Sequence, residues 1–218
     1  MAQVHRLTGE LQENYKRYCV KESLKQKYIS IIRLSAYSNF DEYRKNLLIS
    51  KNAYIPLSIL EISLRNALDD HFSSKISPDW HLDTTFLSVG AQKKITEAID
   101  LLKKRKEAIT KEKIIAELNF GFWVNLFQKP YQNHLRTRDL QRIFPNMPSK
   151  DVMILNREEI YKKLDHIRAF RNRIFHYEKV INKDHYNGIE EEIYFILEIF
   201  DRELSEFTKK TNDPKESE

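Results

Sequence analysis

Arg171, Asn172 and His176 have the types and spacing to cleave RNA without a metal. A ribose 2′-OH attacks the adjacent phosphorus when one group takes its proton and another protonates the departing 5′-oxygen. Histidine titrates near neutrality and serves in either role. Arginine, always cationic and forked, stabilises charge on a phosphorane-like transition state. Asn172 and His176 are i, i+4 and face each other on a helix, so the amide is expected to orient the imidazole. Arg171 and His176 lie about 7.5 Å apart along a helix axis and about 140° apart around it. They meet only through the long Arg side chain or a break near the helix end. Spacing alone says little: Arg65 and His71 form a similar pair, and chance supplies about as many.

Other chemistries are poorly served. The histidines at 5, 71, 81, 134, 166, 176 and 185 include no i, i+4 pair and no HExxH pattern, so no metal site is expected. Cys19 is the only cysteine, which excludes an internal disulfide and multi-cysteine zinc sites and fits a reducing compartment. Gly9, Gly90, Gly121 and Gly188 stand alone, so no glycine-rich phosphate loop or nucleotide cofactor is expected. His166 and His185 read as bystanders, and His71 as a surface or core residue.

The elements that must position the trio are helical. Four Gly and six Pro among 218 residues, with 32% charged, leave few turns for a sandwich or barrel. The fold class is an all-α bundle of about six to eight helices. A first helix is expected over 8–36, carrying Leu7, Leu11, Tyr15, Tyr18, Tyr28, Ile31 and Ile32 on a rough 3–4 spacing. Ser38–Asp41 reads as a break with Asn39 and Asp41 as turn or cap residues. A second helix starts near Pro56, a natural first-turn proline, and is apolar nearly all round until Ser77-Pro78-Asp79. A charged helix over 92–108 follows, striped by Ile95, Ala98, Ile99 and Leu102. Then come the aromatic segment 118–127 and a stretch bounded by Pro130, Pro145 and Pro148. The trio belongs to a helix over about 156–178, and a last helix covers 189–207. One domain, 1–207, precedes a polar tail, 208–218, expected to fray. No charge-free apolar run approaches 18 residues and no apolar signal core opens the chain, so the expected location is cytoplasmic, with no membrane contact.

Several residues have a second reading. Ile160, Leu164 and Ile167 form an apolar stripe that continues to Arg171 and Ile174, where a guanidinium must be paired or open onto a groove. Glu61 and Arg65, i, i+4 on an apolar helix, are expected to meet the Arg171 helix as an ion pair that fixes packing or as phosphate contacts. Lys103, Lys104, Arg105 and Lys106, with Lys93 and Lys94, form either a phosphate-tracking run or a solvated face. Phe120, Phe122, Trp123 and Phe127 could stack bases, but so dense a cluster suits a core. The net charge of +5 favours a polyanion only slightly.

Taken in order, LEISLRNAL (60–68), FGFWVNLF (120–127) and RAFRNRIFHYE (168–178) resemble the Abi-like (abortive-infection) proteins of bacteria. These belong to the HEPN superfamily of helical RNA-processing domains. The likeness runs from about residue 25 to 205. Its last motif, Arg-Asn-x-x-x-His followed by an acidic residue, is carried by Arg171, Asn172, His176 and Glu178. The resemblance implies a HEPN-like all-α homodimer, with two Arg-x4-His motifs forming one metal-independent endoribonuclease site across the interface. It also implies a role in phage defence or as a toxin, with an antitoxin or regulatory RNA as further partner. Some toxin members have a tyrosine two positions after the histidine, a site of antitoxin modification. Here Tyr177 stands at one position and Glu178 at two, so that regulation is not carried over. Two rival readings are a non-catalytic RNA-binding module and a helical interaction or regulatory protein.

Overall fold

The structure, a computed structural model, describes residues 22–213. Residues 8–21 of the expected first helix, Cys19 and the last five residues lie outside that range. Among the described residues there are ten α-helices, three 3₁₀ turns and no strand, so the protein is an all-α helical bundle. The described residues fall into two compact units, divided between Leu47 and Leu48.

In the first unit, α1 (Glu22–Tyr28) and α2 (Ile31–Leu34) replace the continuous helix expected there. The interruption is Ser30, whose φ of 77° leaves the helical course. Its Oγ then caps α2 by accepting the Arg33 N–H at 3.3 Å. Asn39 is a cap as expected: its Oδ1 accepts the Glu42 N–H at 2.8 Å and starts α3, Phe40–Lys75. That start lies well before Pro56, which sits inside α3. Proline removes one helical donor, and a side chain from the C-terminal helix takes the acceptor it frees.

In the second unit, Leu57, Leu60, Leu64, Leu68 and Phe72 place one face of α3 in the core. The helix is not buried all round, however. Tyr54 is 59% exposed and Ile62 45%, because a bundle helix covers only the stripe its neighbours reach. Among the described residues, α3 is the one helix long and apolar enough to cross a membrane by length and composition. Next come α4 (Val89–Lys104), α5 (Lys111–Glu117), α6 (Phe120–Asn125) and α7 (Thr137–Ile143). Ser88, Thr110 and Asn119 cap α4, α5 and α6 through side-chain oxygens. Phe120, Phe122, Trp123 and Phe127 are all buried, so the aromatic segment is core.

The helix of the trio is α8, Arg157–Phe175, capped by Asn156 Oδ1, which accepts the N–H groups of Glu158 and Glu159. Its buried stripe is Ile160, Leu164, Ile167, Phe170 and Ile174. Phe170 takes the place expected of Arg171, which flanks the stripe. The final helix is split into α9 (Ile189–Phe200) and α10 (Arg202–Asn212). Asp201 is extended at the junction, and its carboxylate caps α10 by accepting the Leu204 N–H at 3.1 Å. The helix therefore runs past 207, with Thr208 fully buried.

His166 also holds the fold together. It meets Glu192 through Nδ1 at 2.6 Å and the His185 carbonyl through Nε2 at 2.7 Å, tying α8 to α9 and its preceding turn.

Candidate functional site

α8 carries Arg171 and Asn172 on its last turns, and two neighbours fix where they point. On one side lies α3. Glu61 Oε2 stands 3.5 Å from Arg171 Nη2, and Tyr54 stacks on Phe175 with ring centroids 6.3 Å apart. The Arg171 guanidinium also lies 4.4 Å over the Phe175 ring. On the other side lies α6, where Gly121 faces Arg168: a Cβ there would meet Arg168 Cδ at 3.5 Å, an ordinary van der Waals contact. Arg157 donates to the Phe127 carbonyl and secures the same contact.

Between α8, α6 and the start of α4 opens a cleft of about 460 Å³. Arg168, Arg171, Asn172 and Lys94 line it, together with the amides of Asn119, Asn125 and Gln128. No carboxylate is among the lining residues. Each of the three cations has a carboxylate partner outside the wall: Glu97 at 2.6 Å for Lys94, Asp165 at 2.5 Å for Arg168 and Glu61 at 3.5 Å for Arg171. The wall presents cations and amides while their acids stand behind it. Arg171 thus stands between an acidic partner on α3 and a cationic cleft, its side chain 26% exposed.

The end of α8 sets the position of His176. Glu178 N–H reaches back to the Arg173 carbonyl at 2.8 Å, and Tyr177 N–H to the Ile174 carbonyl at 3.0 Å. This is a Schellman stop with His176 as the helix cap and Tyr177 left-handed at φ 58°. Glycine usually fills that position; Lys106 does the same at the end of α4, also at φ 58°. Beside the stop, Glu178 pairs with Arg173 at 3.0 Å.

The expected residues are therefore only partly gathered. Arg171 and Asn172 share the cleft, and Glu61 meets Arg171. Arg65 does not join them: its Nε donates to Asn66 Oδ1 at 3.3 Å, and Glu61 turns to Arg171 instead of to Arg65. His176 is exposed and is not among the cleft's lining residues. No hydrogen bond joins the Asn172 and His176 side chains; the backbone N–H of His176 donates to the Asn172 carbonyl at 3.0 Å. His176 keeps the helical backbone bond as the cap, at φ −92° and ψ 9°, and the chain leaves the helical course after it.

The basic run ends up elsewhere. Lys103 pairs with Asp100 at 3.3 Å and Arg105 with Glu117 at 2.6 Å. Lys103, Lys104, Arg105 and Lys106 sit at the C-terminal end of α4, whereas Lys94, near its N-terminus, lines the cleft. Ten residues of helix separate Lys94 from Lys104 by about 15 Å. Arg168 was not singled out by sequence, although it lies i, i+3 from Arg171. Among the described residues no group of three His, Cys, Asp or Glu side chains could hold a metal ion. Comparisons with protein-family models, curated proteins and solved structures find no match.

Proposed function

We propose that this protein is a metal-independent endoribonuclease of the Abi-like, HEPN type, acting in the cytoplasm as a homodimer in phage defence or as a toxin. One observation carries the reading. α8 delivers Arg171 to a cleft lined by cations and amides, ends at Phe175, and is capped by an exposed imidazole, His176. Arg171 stabilises the phosphorane-like transition state, and His176 moves the proton. Asn172 supplies a cleft amide. The exposed Tyr54, Phe175 and Tyr177 around the same helix end suit burial against a second copy. That copy would bring its own imidazole to the cleft.

The test is RNA cleavage in EDTA. Wild-type protein should leave 2′,3′-cyclic phosphate ends, and His176→Ala and Arg171→Ala should each lower the rate at least a hundredfold. An uncut substrate with wild-type protein sinks the proposal. A second reading, a non-catalytic RNA-binding module, is favoured by the place of His176 outside the cleft wall. It requires that RNA be retained equally by wild type and His176→Ala without cleavage.

A further inference from the structure

The cleft holds more cationic capacity than the Arg171–His176 motif uses. Arg168 meets Asp165 through Nη2 at 2.5 Å, yet its Nε is buried without a hydrogen bond. Arg171 meets Glu61 at 3.5 Å, and its Nε is likewise unbonded. Two guanidiniums, each held by one carboxylate and each keeping a buried, unbonded Nε, thus flank one cavity. Lys94, paired with the exposed Glu97 at 2.6 Å, lines it from α4. Forked guanidinium donors match phosphate oxygens, and a lysine adds a point charge.

The rest of the wall suits what is attached to a phosphate. Asn125 Oδ1 accepts from Gln128 at 3.1 Å, which fixes its orientation while leaving its own NH₂ free to donate. A volume of about 460 Å³ falls in the range of small-molecule clefts and suits a single nucleotide unit. Gly121 lines the same cavity, and a Cβ there would stand 3.3 Å from Asn119 Oδ1 and 3.9 Å from Arg168 Nη1, two of the polar groups the ligand would meet.

We propose that this cleft binds one nucleotide unit, with its phosphate on Arg168, Arg171 and Lys94 and its base toward the amide wall. The choice of a nucleotide over another anion rests on the RNA reading above. The phosphate comes either from a free nucleotide or from an RNA strand.

Calorimetric titration of the full chain in EDTA, with inorganic phosphate, UMP, AMP and a tetrauridylate, tests the inference. Saturable binding is expected, weakened about tenfold or more in Arg168→Gln. Gly121→Ala favours the helix but crowds Asn119 Oδ1, the cap of α6. It should weaken binding severalfold, with its melting temperature measured alongside to separate lost binding from lost fold. Lys104→Gln removes the same charge at the far end of α4 and should change affinity less than twofold. Equal affinity for UMP and tetrauridylate assigns a free nucleotide, and binding of tetrauridylate alone assigns a strand. No saturable binding of any probe, or equal losses in Arg168→Gln and Lys104→Gln, overturns the inference. Binding that obeys these variants in a protein that cuts no RNA removes the nuclease reading and leaves the cleft. Cleavage with unchanged binding in Arg168→Gln and Gly121→Ala does the reverse.

Discussion

Asn212, at the end of α10, donates its side-chain N–H to the Asn52 carbonyl at 2.8 Å. Asn52 lies four residues before Pro56, so its carbonyl is the acceptor whose helical donor proline lacks. The C-terminal helix therefore completes the backbone bonding of α3. Asn212→Ala should destabilise the protein by about 1 kcal/mol. Pro56→Ala returns a backbone donor to Asn52, so Asn212→Ala should cost less in that background. Denaturant midpoints of the four proteins of the cycle measure this coupling; strict additivity refutes it.

Two buried histidines make the fold sensitive to acid. His71 lies within the core, donating Nε2–H to the His134 carbonyl at 3.0 Å. Burial, the largest cause, holds its pKa below the ordinary 6.5 against the pull of that hydrogen bond. His81 is lowered too, first by burial and then by Lys111. A lowered histidine pKa favours the neutral form in the fold. Its stability is complete above pH 6.5, the ordinary value, and is lost as pH falls through the lowered one. Urea midpoints should be level above neutrality and decline toward about pH 5. His71→Gln, which retains a donor for the His134 carbonyl, should flatten part of the decline; a level profile in the wild type contradicts this account.

Glu61 competes with any anion for Arg171. Both side chains are about a quarter exposed, 28% and 26%, so screening keeps the pair to well under about 1 kcal/mol of stability. Glu61→Gln should therefore leave the melting temperature nearly unchanged while tightening RNA binding two- to fivefold. Arg171→Gln should weaken it. Filter binding at two salt concentrations reads both effects, and a Glu61→Gln protein that binds more weakly would show that the carboxylate positions Arg171 rather than competing.

Trp80 and Trp123 are the two tryptophans, and both are fully buried. Intrinsic emission should be blue-shifted, resistant to acrylamide and unquenched by RNA. RNA-dependent quenching would return Trp123 to the role of a base-stacking residue.

The fold was legible wherever a residue's own pattern decides the outcome. The stripe of Ile160, Leu164 and Ile167 marked α8, and Asn39 marked the start of α3. Tertiary bonds hid the rest. Pro56 reads as a first-turn proline because nothing near it in sequence supplies the donor that Asn212 brings from 160 residues away. Ser30 and Asp201 are cap-forming types, but so are many other residues of the chain, and only their backbone angles show that these two interrupt a helix. In the site, Arg171, Asn172 and Glu61 were visible through helical spacing. The cleft was not, since Lys94, Gly121 and Arg168 come from three helices.

Helix α4 offers a check on the left-handed stops. Lys106 adopts φ 58°, which costs an L-residue about 1–2 kcal/mol. Lys106→Gly relieves that cost and returns about 0.4–1 kcal/mol through the entropy of the unfolded chain. A net gain of about 0.5 kcal/mol should appear as a melting temperature about 1–2 °C higher.

Tyr177 carries the same backbone strain beside His176, and nothing in the adjacent sequence asks a helix to stop there. A left-handed tyrosine costs about 1–2 kcal/mol, more than an isolated, fraying helix end offsets, whereas in the bundle α8 is held by its contacts with α3 and with the cleft. An excised peptide covering 157–180 should therefore not reproduce the stop. Its residual helix should fray without a preferred end, and the imidazole should take no defined bearing relative to the guanidinium. The Arg-x4-His spacing is in this sense a property of the assembled bundle: the linear motif names the two residues, and the distant helices decide the distance between them.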